Sequence, residues 1–236
     1  MPAEPLILGL ETGGSKVRAL LVDESMAVLG QAEGRRLPGF SAKETLDCLI
    51  KTADAARSRG EARCGDRCSL RAIGWGFGGG VDRETNEPTL NLHEPGWENL
   101  FPGRQLLEHF GCPVFLENDC NAAALAEACL GAGSSRGVSI YLTVGSGIGG
   151  GVTIDGRLFR ASRFGETEVG HLAMDPHGPL CPCGNRGCLE AFSSGDGMAA
   201  RAREWAFSAG TKGPLAEKIR AASSPARWAG ERVSRS

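Results

Sequence analysis

Between Gly170 and Phe192 the chain reads GHLAMDPHGPLCPCGNRGCLEAF, with Cys181, Cys183 and Cys188 close together and His171 and His177 just upstream. Cys181 and Cys183 stand too close along the chain to pair comfortably as a disulfide. One imidazole with three thiolates makes a closed Cys3His set, the composition expected of structural zinc. The alternative is a loop of free thiols. The spacing His171-x9-Cys181-x-Cys183-x4-Cys188 names His171 as the fourth ligand, with His177 as a substitute. Glu168 and Glu190 flank the segment. Each is either a solvated surface acid or a carboxylate that a metal-folded loop fixes over a ligand, where it can accept hydrogen bonds from neighbouring hydroxyls.

Two glycine turns follow apolar runs: ETGGSK (Glu11–Lys16) and VGSGIGGG (Val144–Gly151). Turn amides without a Cβ nearby can converge on phosphate oxygens. Ser15 and Ser146 add hydroxyls, and Lys16 adds a cation. A plain hairpin turn is the alternative for each. Neither is a Walker A loop, because GxxxxGK[ST] is absent, and neither is a dinucleotide fingerprint, because a strand and not a helix follows. The stretch FLENDCNAAALAE carries Asp119 where a strand gives way to a helix, a place where ligands gather in open α/β sheets. Asp119 is a candidate general base toward a hydroxyl. Otherwise Asn118 or Asp119 merely caps the helix.

The elements that must position these groups follow from the hydrophobic pattern. An N-terminal hairpin bends at the first glycine turn; residues 43–59 have helical spacing; Leu70–Phe77 reads as a strand ending in three glycines. Residues 82–99 look like loop. Gln105–Phe110 is a short helix, Pro113–Leu116 a buried strand and Asn121–Leu130 a helix stopped by Gly131. Ser139–Val144 and Gly151–Ile154 are strands around the loop GSGIGG, and Gly195–Ala209 is helical. The strand–glycine turn–strand unit occurs twice, which predicts an α/β chain of two related lobes with a cleft between them. The expected division is 1–118 and 119–222, followed by a disordered tail over 223–236.

Composition removes several classes of function. A net charge of −2 over 236 residues offers no basic surface for nucleic acid or membrane. No apolar run is long enough to span a bilayer, and no signal peptide is evident, so a cytoplasmic location is expected. Nine cysteines in such a chain, six of them scattered, read as metal ligands and small buried side chains rather than disulfides.

Together these motifs resemble the ROK family of sugar kinases and sugar-responsive repressors, over residues 6 to about 207. GLETGGSK is similar to the first phosphate motif of the family, LTVGSGIGGGVTIDGRL to the second, LENDCNAAALAE to the segment with the catalytic Asp, and EVGH with CPCGNRGCLE to the zinc and sugar segment. The resemblance implies the actin-like ATPase (ribonuclease H-like) fold and an ATP-dependent hexose kinase, glucokinase-like, acting on a sugar 6-hydroxyl. It implies Asp119 as base, with Asn91, Asn118, Asp119, Glu168, His171 and Glu190 around the sugar. Glu11, Gly13, Gly14, Ser15, Lys16, Gly145, Ser146 and Gly147 would hold ATP and Mg2+. Zinc would sit on His171, Cys181, Cys183 and Cys188. A hexose is the implied partner, and a homodimer the implied assembly.

Three departures stand out. Glu11 replaces the usual Asp, Gly78-Gly79-Gly80 lacks the usual proline, and the family's adenosine-binding strand and returning helix have no counterpart after Gly210. The second lobe is therefore expected to be incomplete at its C-terminus. That makes a sugar-binding protein or inactive fragment the rival to a kinase. A repressor is disfavoured because no helix-turn-helix precedes the first phosphate strand.

Overall fold

The computed structural model describes residues 4–37, 39–64, 68–91, 94–160 and 167–222. The expected tail over 223–236 lies outside them. The N-terminal hairpin pairs β1 (Glu4–Thr12) with β2 (Lys16–Val22) in antiparallel register, bending at the first glycine turn. β3 (Val28–Arg35) continues the meander, β4 (Cys68–Phe77) pairs with β1 in parallel and β7 (Val114–Asn118) with β4 in parallel, for a sheet order β3-β2-β1-β4-β7. Leu6, Leu8 and Leu10 of β1 alternate into the core, as a strand with one buried face requires.

α1 (Ala42–Cys64) covers that face with Leu46, Leu49, Ala53 and Ala56. It starts in a capping box, in which the Ser41 amide donates to Glu44 Oε2 at 2.8 Å and the Glu44 amide donates to Ser41 Oγ at 3.3 Å. A second packing centre joins Trp75 and Phe77 of β4 to Trp97, with ring centroids 5.2–5.6 Å apart and edge-to-face.

β3 was invisible in the hydrophobic pattern for a physical reason. Gly30 and Gly34 sit where α1 presses on the strand, and an added Cβ would lie 2.1 Å from Ala56 O or 2.4 Å from Thr52 Oγ1. Glycine stands where a pattern reader looks for Val or Ile. Residues 82–99, expected as loop, contain most of the hairpin β5 (Gly80–Asp82)–β6 (Glu87–Leu90) and a 3-10 turn, Trp97–Asn99. Their polar composition concealed a turn organised by Asp82 Oδ1, which accepts from the Glu84 amide at 2.8 Å. α2 (Pro102–Phe110) begins earlier than expected, with Pro at its first turn.

α3 (Asp119–Leu130) then leads to a second sheet of order β10-β9-β8. It contains β8 (Val138–Val144), β9 (Ile148–Ile154) and β10 (Arg157–Leu158). β9 begins three residues before the expected start. Gly149 and Gly151 belong to the strand, and added Cβ atoms there would lie 2.5 Å from Cys120 Sγ and 2.6 Å from Ala124 Cβ of α3. Small residues here admit a helix, not a ligand. The chain ends its described course in a 3-10 turn, Val169–His171, and in α4 (Leu189–Ser193), α5 (Gly195–Phe207) and α6 (Pro214–Ala222). Among the described residues no helix is long and apolar enough to cross a membrane.

Candidate active site

The first glycine turn is held by backbone and side chain together. The Gly13 amide donates to Lys16 O at 2.8 Å, and the Arg36 amide donates to Ser15 O at 2.9 Å. A small cavity of about 110 Å³ is lined by Glu11, Gly13, Gly14, Ser15, Lys16 and Arg18. Glu11 and Arg18 face each other across the hairpin, 3.3 Å apart, and the Lys16 ammonium lies 2.8 Å from Glu33. The expected cation of the turn is thus turned toward β3.

The second turn, Gly145–Gly147, is fastened by a helix. The Gly195 and Asp196 amides, at the start of α5, donate to Gly145 O at 2.8 Å and Ser146 O at 3.2 Å. Gly195 is needed there, since its Cβ would stand 2.9 Å from Gly145 O. Glu190 of α4 accepts from the Ile148 amide at 2.8 Å, which ties the cysteine segment to the same turn.

At the head of α3, Asn118 is the N-cap. Its Oδ1 accepts from the amides of Cys120 at 3.0 Å and Asn121 at 3.1 Å, and its Nδ2 reaches Gly79 O at 3.3 Å. Asp119 is exposed, with Oδ1 2.8 Å from the Cys120 amide. A Cβ on Gly78 would lie 3.6 Å from Thr12 O and 3.7 Å from Asp119 Oδ2. The carboxylate therefore stands beside the end of β1, just before the first glycine turn. Burial, then the nearby Asp119 carboxylate, push the Cys120 thiol up to about 12, so it stays protonated at neutral pH.

Glu117 backs this corner. Its Oε2 pairs with Arg160 Nη2 at 2.5 Å and its Oε1 accepts from Asn121 Nδ2 at 3.0 Å. The largest cavity among those described, about 1150 Å³, opens from Glu11 and Asp119 along Trp75, Phe115 and Leu130. Its walls are mostly apolar, with Glu117 and Arg160 among the polar residues that line it.

The four ligand atoms of His171, Cys181, Cys183 and Cys188 all lie within 4.8 Å of one another. Cys183 Sγ is 3.7 Å from Cys188 Sγ, and Cys181 Sγ is 3.5 Å from His171 Nδ1. A tetrahedral zinc about 2.3 Å from each sulfur needs edges of about 3.8 Å, so the donor set fits zinc in both chemistry and size. Burial pushes the Cys188 thiol up to about 12 and also raises that of Cys181, while the Asn185 amide draws that of Cys183 down. A cation entering the group displaces those protons. His177 is exposed and stands outside the group, so His171 is the imidazole brought to the thiols. The other ring nitrogen, His171 Nε2, faces Glu168 Oε2 at 3.7 Å.

Asn91 follows β6, and its Oδ1 accepts from the Glu94 amide at 3.0 Å. Glu94 is buried and bonded to Arg36 at 2.7 Å. Sequence reasoning singled out neither of these two. The pair joins positions far apart in the chain, and no motif marks either residue.

A profile of the ROK family matches residues 7–234. A glucokinase of Thermotoga maritima is 34% identical over 192 residues, covering 80% of this chain and 57% of that protein. An N-acetylmannosamine kinase of Salmonella newport is 36% identical over 200 residues, covering 84% of this chain and 64% of that protein. The chain thus spans roughly three fifths of these relatives' length. Among solved structures, a ROK family glucokinase from Streptomyces griseus in complex with glucose and AMPPNP superposes with a TM-score of 0.69 at 32% identity, covering 85% of this chain and 61% of that one.

Proposed function

The chain belongs to the ROK family, with its actin-like α/β fold, and on that premise we propose that it is an ATP-dependent hexose kinase, glucokinase-like, that phosphorylates a sugar 6-hydroxyl. The observation that carries this reading is the exposure of Asp119 beside the end of β1. Asn118 already caps α3, so the neighbouring carboxylate is available as a base beside the first glycine turn.

In this reading Asp119 takes the proton of the attacking hydroxyl. Asn91, Asn118, Glu168, His171 and Glu190 accept from or donate to the other hydroxyls. The turns at Gly13–Ser15 and Gly145–Gly147, with Glu11 and Lys16, receive the phosphates of ATP, which enters as its Mg2+ complex. Phosphoryl transfer depends mainly on positioning and charge neutralisation, which two converging turns can supply. His171, Cys181, Cys183 and Cys188 would hold a zinc ion, which supplies a rigid fold for the loop rather than chemistry. The two sheets are taken as two lobes, divided near Asn118, that close to exclude competing water.

The glucokinase and N-acetylmannosamine kinase relatives support a sugar substrate and leave its identity to experiment. The test is ADP release from Mg-ATP with a panel of hexoses and N-acetylhexosamines. Turnover with one of them is expected; a folded, metal-loaded protein inert toward all of them overturns the reading. Among the described residues β8, which leads into the second glycine turn, stands at the edge of its sheet with an exposed apolar face, and this less covered phosphate side favours a second reading, sugar binding without turnover. Calorimetric titration with glucose that gives heat, while Mg-ATP gives none, would select it.

A further inference from the structure

We propose that Arg36 is a positioning residue of the phosphate site, holding the first glycine turn in its anion-receiving form and tying it through Glu94 to the segment that carries Asn91. The proposal rests on the kinase reading of the same site.

Arg36 follows β3 and takes two carbonyls of the turn at once. Its Nη1 donates to Gly13 O at 2.6 Å, and its backbone amide donates to Ser15 O at 2.9 Å. In a trans peptide the carbonyl and the next N–H point in opposite directions. Drawing both carbonyls toward Arg36 therefore turns the Gly14 and Lys16 N–H groups away from it. Arg36 is not among the residues lining the small cavity at Gly13–Lys16, so it grips the turn from behind. Over Gly14 an added Cβ would meet nothing within 4 Å, which leaves room for an anion at that amide. Released, the Gly13 peptide could rotate and present its carbonyl to the phosphate instead, where like partial charges repel.

The guanidinium is itself fixed. Nη2 lies 2.7 Å from Glu94 Oε1 and Nε donates to Thr45 Oγ1 at 3.1 Å. The Thr45 hydroxyl donates to Glu94 Oε1 at 2.5 Å, and Trp97 Nε1 donates to Glu94 Oε2 at 3.2 Å. Glu94 is 7% exposed, so its charge is compensated almost entirely by these partners. The Glu94 amide then donates to Asn91 Oδ1 at 3.0 Å. A continuous chain of contacts thus runs from a carbonyl of the first glycine turn to the side chain of Asn91, which the kinase reading places at the sugar. Each guanidinium nitrogen meets a different acceptor, a task that the single ammonium of Lys cannot repeat.

The test compares wild type with Arg36→Lys, which keeps the charge opposite Glu94. The Arg36→Gln, Glu94→Gln double variant, which removes both buried charges together, serves if the first fails to fold. Hydrogen exchange is read without ligand over residues 10–18 and 87–99, beside the KM for Mg-ATP, the KM for the hexose, kcat and the melting temperature. The expected result is faster exchange at the turn and a rise of about tenfold in the KM for Mg-ATP, the scale of a lost charge-assisted bond, with kcat changed less. Unchanged exchange at the turn overturns the proposal. So does a folded variant that loses kcat at constant KM for Mg-ATP. Faster exchange in a variant whose wild type turns over no sugar keeps the tie and refutes the kinase reading instead.

Discussion

Asp119 and Asn118 are adjacent residues of similar size whose roles separate only in three dimensions. Either can cap a helix, and the sequence alone left that choice open. Asn118 Oδ1 takes the amides of Cys120 and Asn121, which leaves the outer oxygen of Asp119 facing Gly78. The expected consequence is specific. Asp119→Asn lowers kcat by about 10²–10⁴, the usual worth of a general base, while the calorimetric Kd for the hexose stays within about threefold. Turnover retained in that variant removes Asp119 from the mechanism. The residues legible in the sequence are those whose type announces their chemistry: clustered Cys and His, glycine turns, an acid at a strand end. Arg36 and Glu94 were not legible, because an Arg and a Glu far apart in a mixed-charge chain look like any solvated pair until burial brings them together.

At the scale of elements, the cysteine segment is a fold within a fold. Its own buried cluster contains only Cys181, Cys188 and Ala191, with Cys183 packed against it, far too little apolar surface to order a loop of this length. The turn is tight, with the Cys181 amide donating to Asn185 O at 2.8 Å and the Gly184 amide donating to Cys181 O at 2.9 Å. In the proposed reading zinc supplies the cohesion that a larger domain draws from its core. Purified protein is expected to carry about one zinc per chain by elemental analysis. A strong chelator should speed hydrogen exchange across residues 169–190 while α1 and β1 keep their protection. A metal-free chain with that segment fully protected sinks the zinc assignment. Spacing marked His171, Cys181, Cys183 and Cys188 in advance as a group, and the structure brings the four together. β3 and the β5–β6 hairpin were not readable, because glycines under α1 and polar turn residues erase the alternation on which strand recognition depends.

Across the whole molecule the two sheets differ in how completely they are covered. The first packs its leucines under α1 and closes with an aromatic triad. In the second, β8 is at the sheet edge among the described residues, and Val138, Ile140, Leu142 and Val144 are each more than half exposed. An uncharged edge strand with an apolar face invites pairing with another chain. The 236-residue protein is expected to associate with rising concentration in sedimentation velocity, and Ile140→Lys to shift it toward monomer; a wild type monomeric at all concentrations would count against this. The doubling of strand–turn–strand units was legible from the two glycine motifs, whereas the uneven cover was not, because it depends on which neighbours each sheet finds. The two turns also differ in how their carbonyls are secured: Gly13 O by the Arg36 side chain and Ser15 O by its backbone amide, Gly145 O and Ser146 O by the backbone amides of Gly195 and Asp196 alone. A single codon change can erase a side-chain fastener. No substitution except proline can delete a main-chain donor. Loss-of-function alleles should therefore take different forms at the two turns: any replacement of Arg36 releases Gly13 O, whereas at the second turn the damage comes from proline at Asp196 or from any side chain added at Gly195.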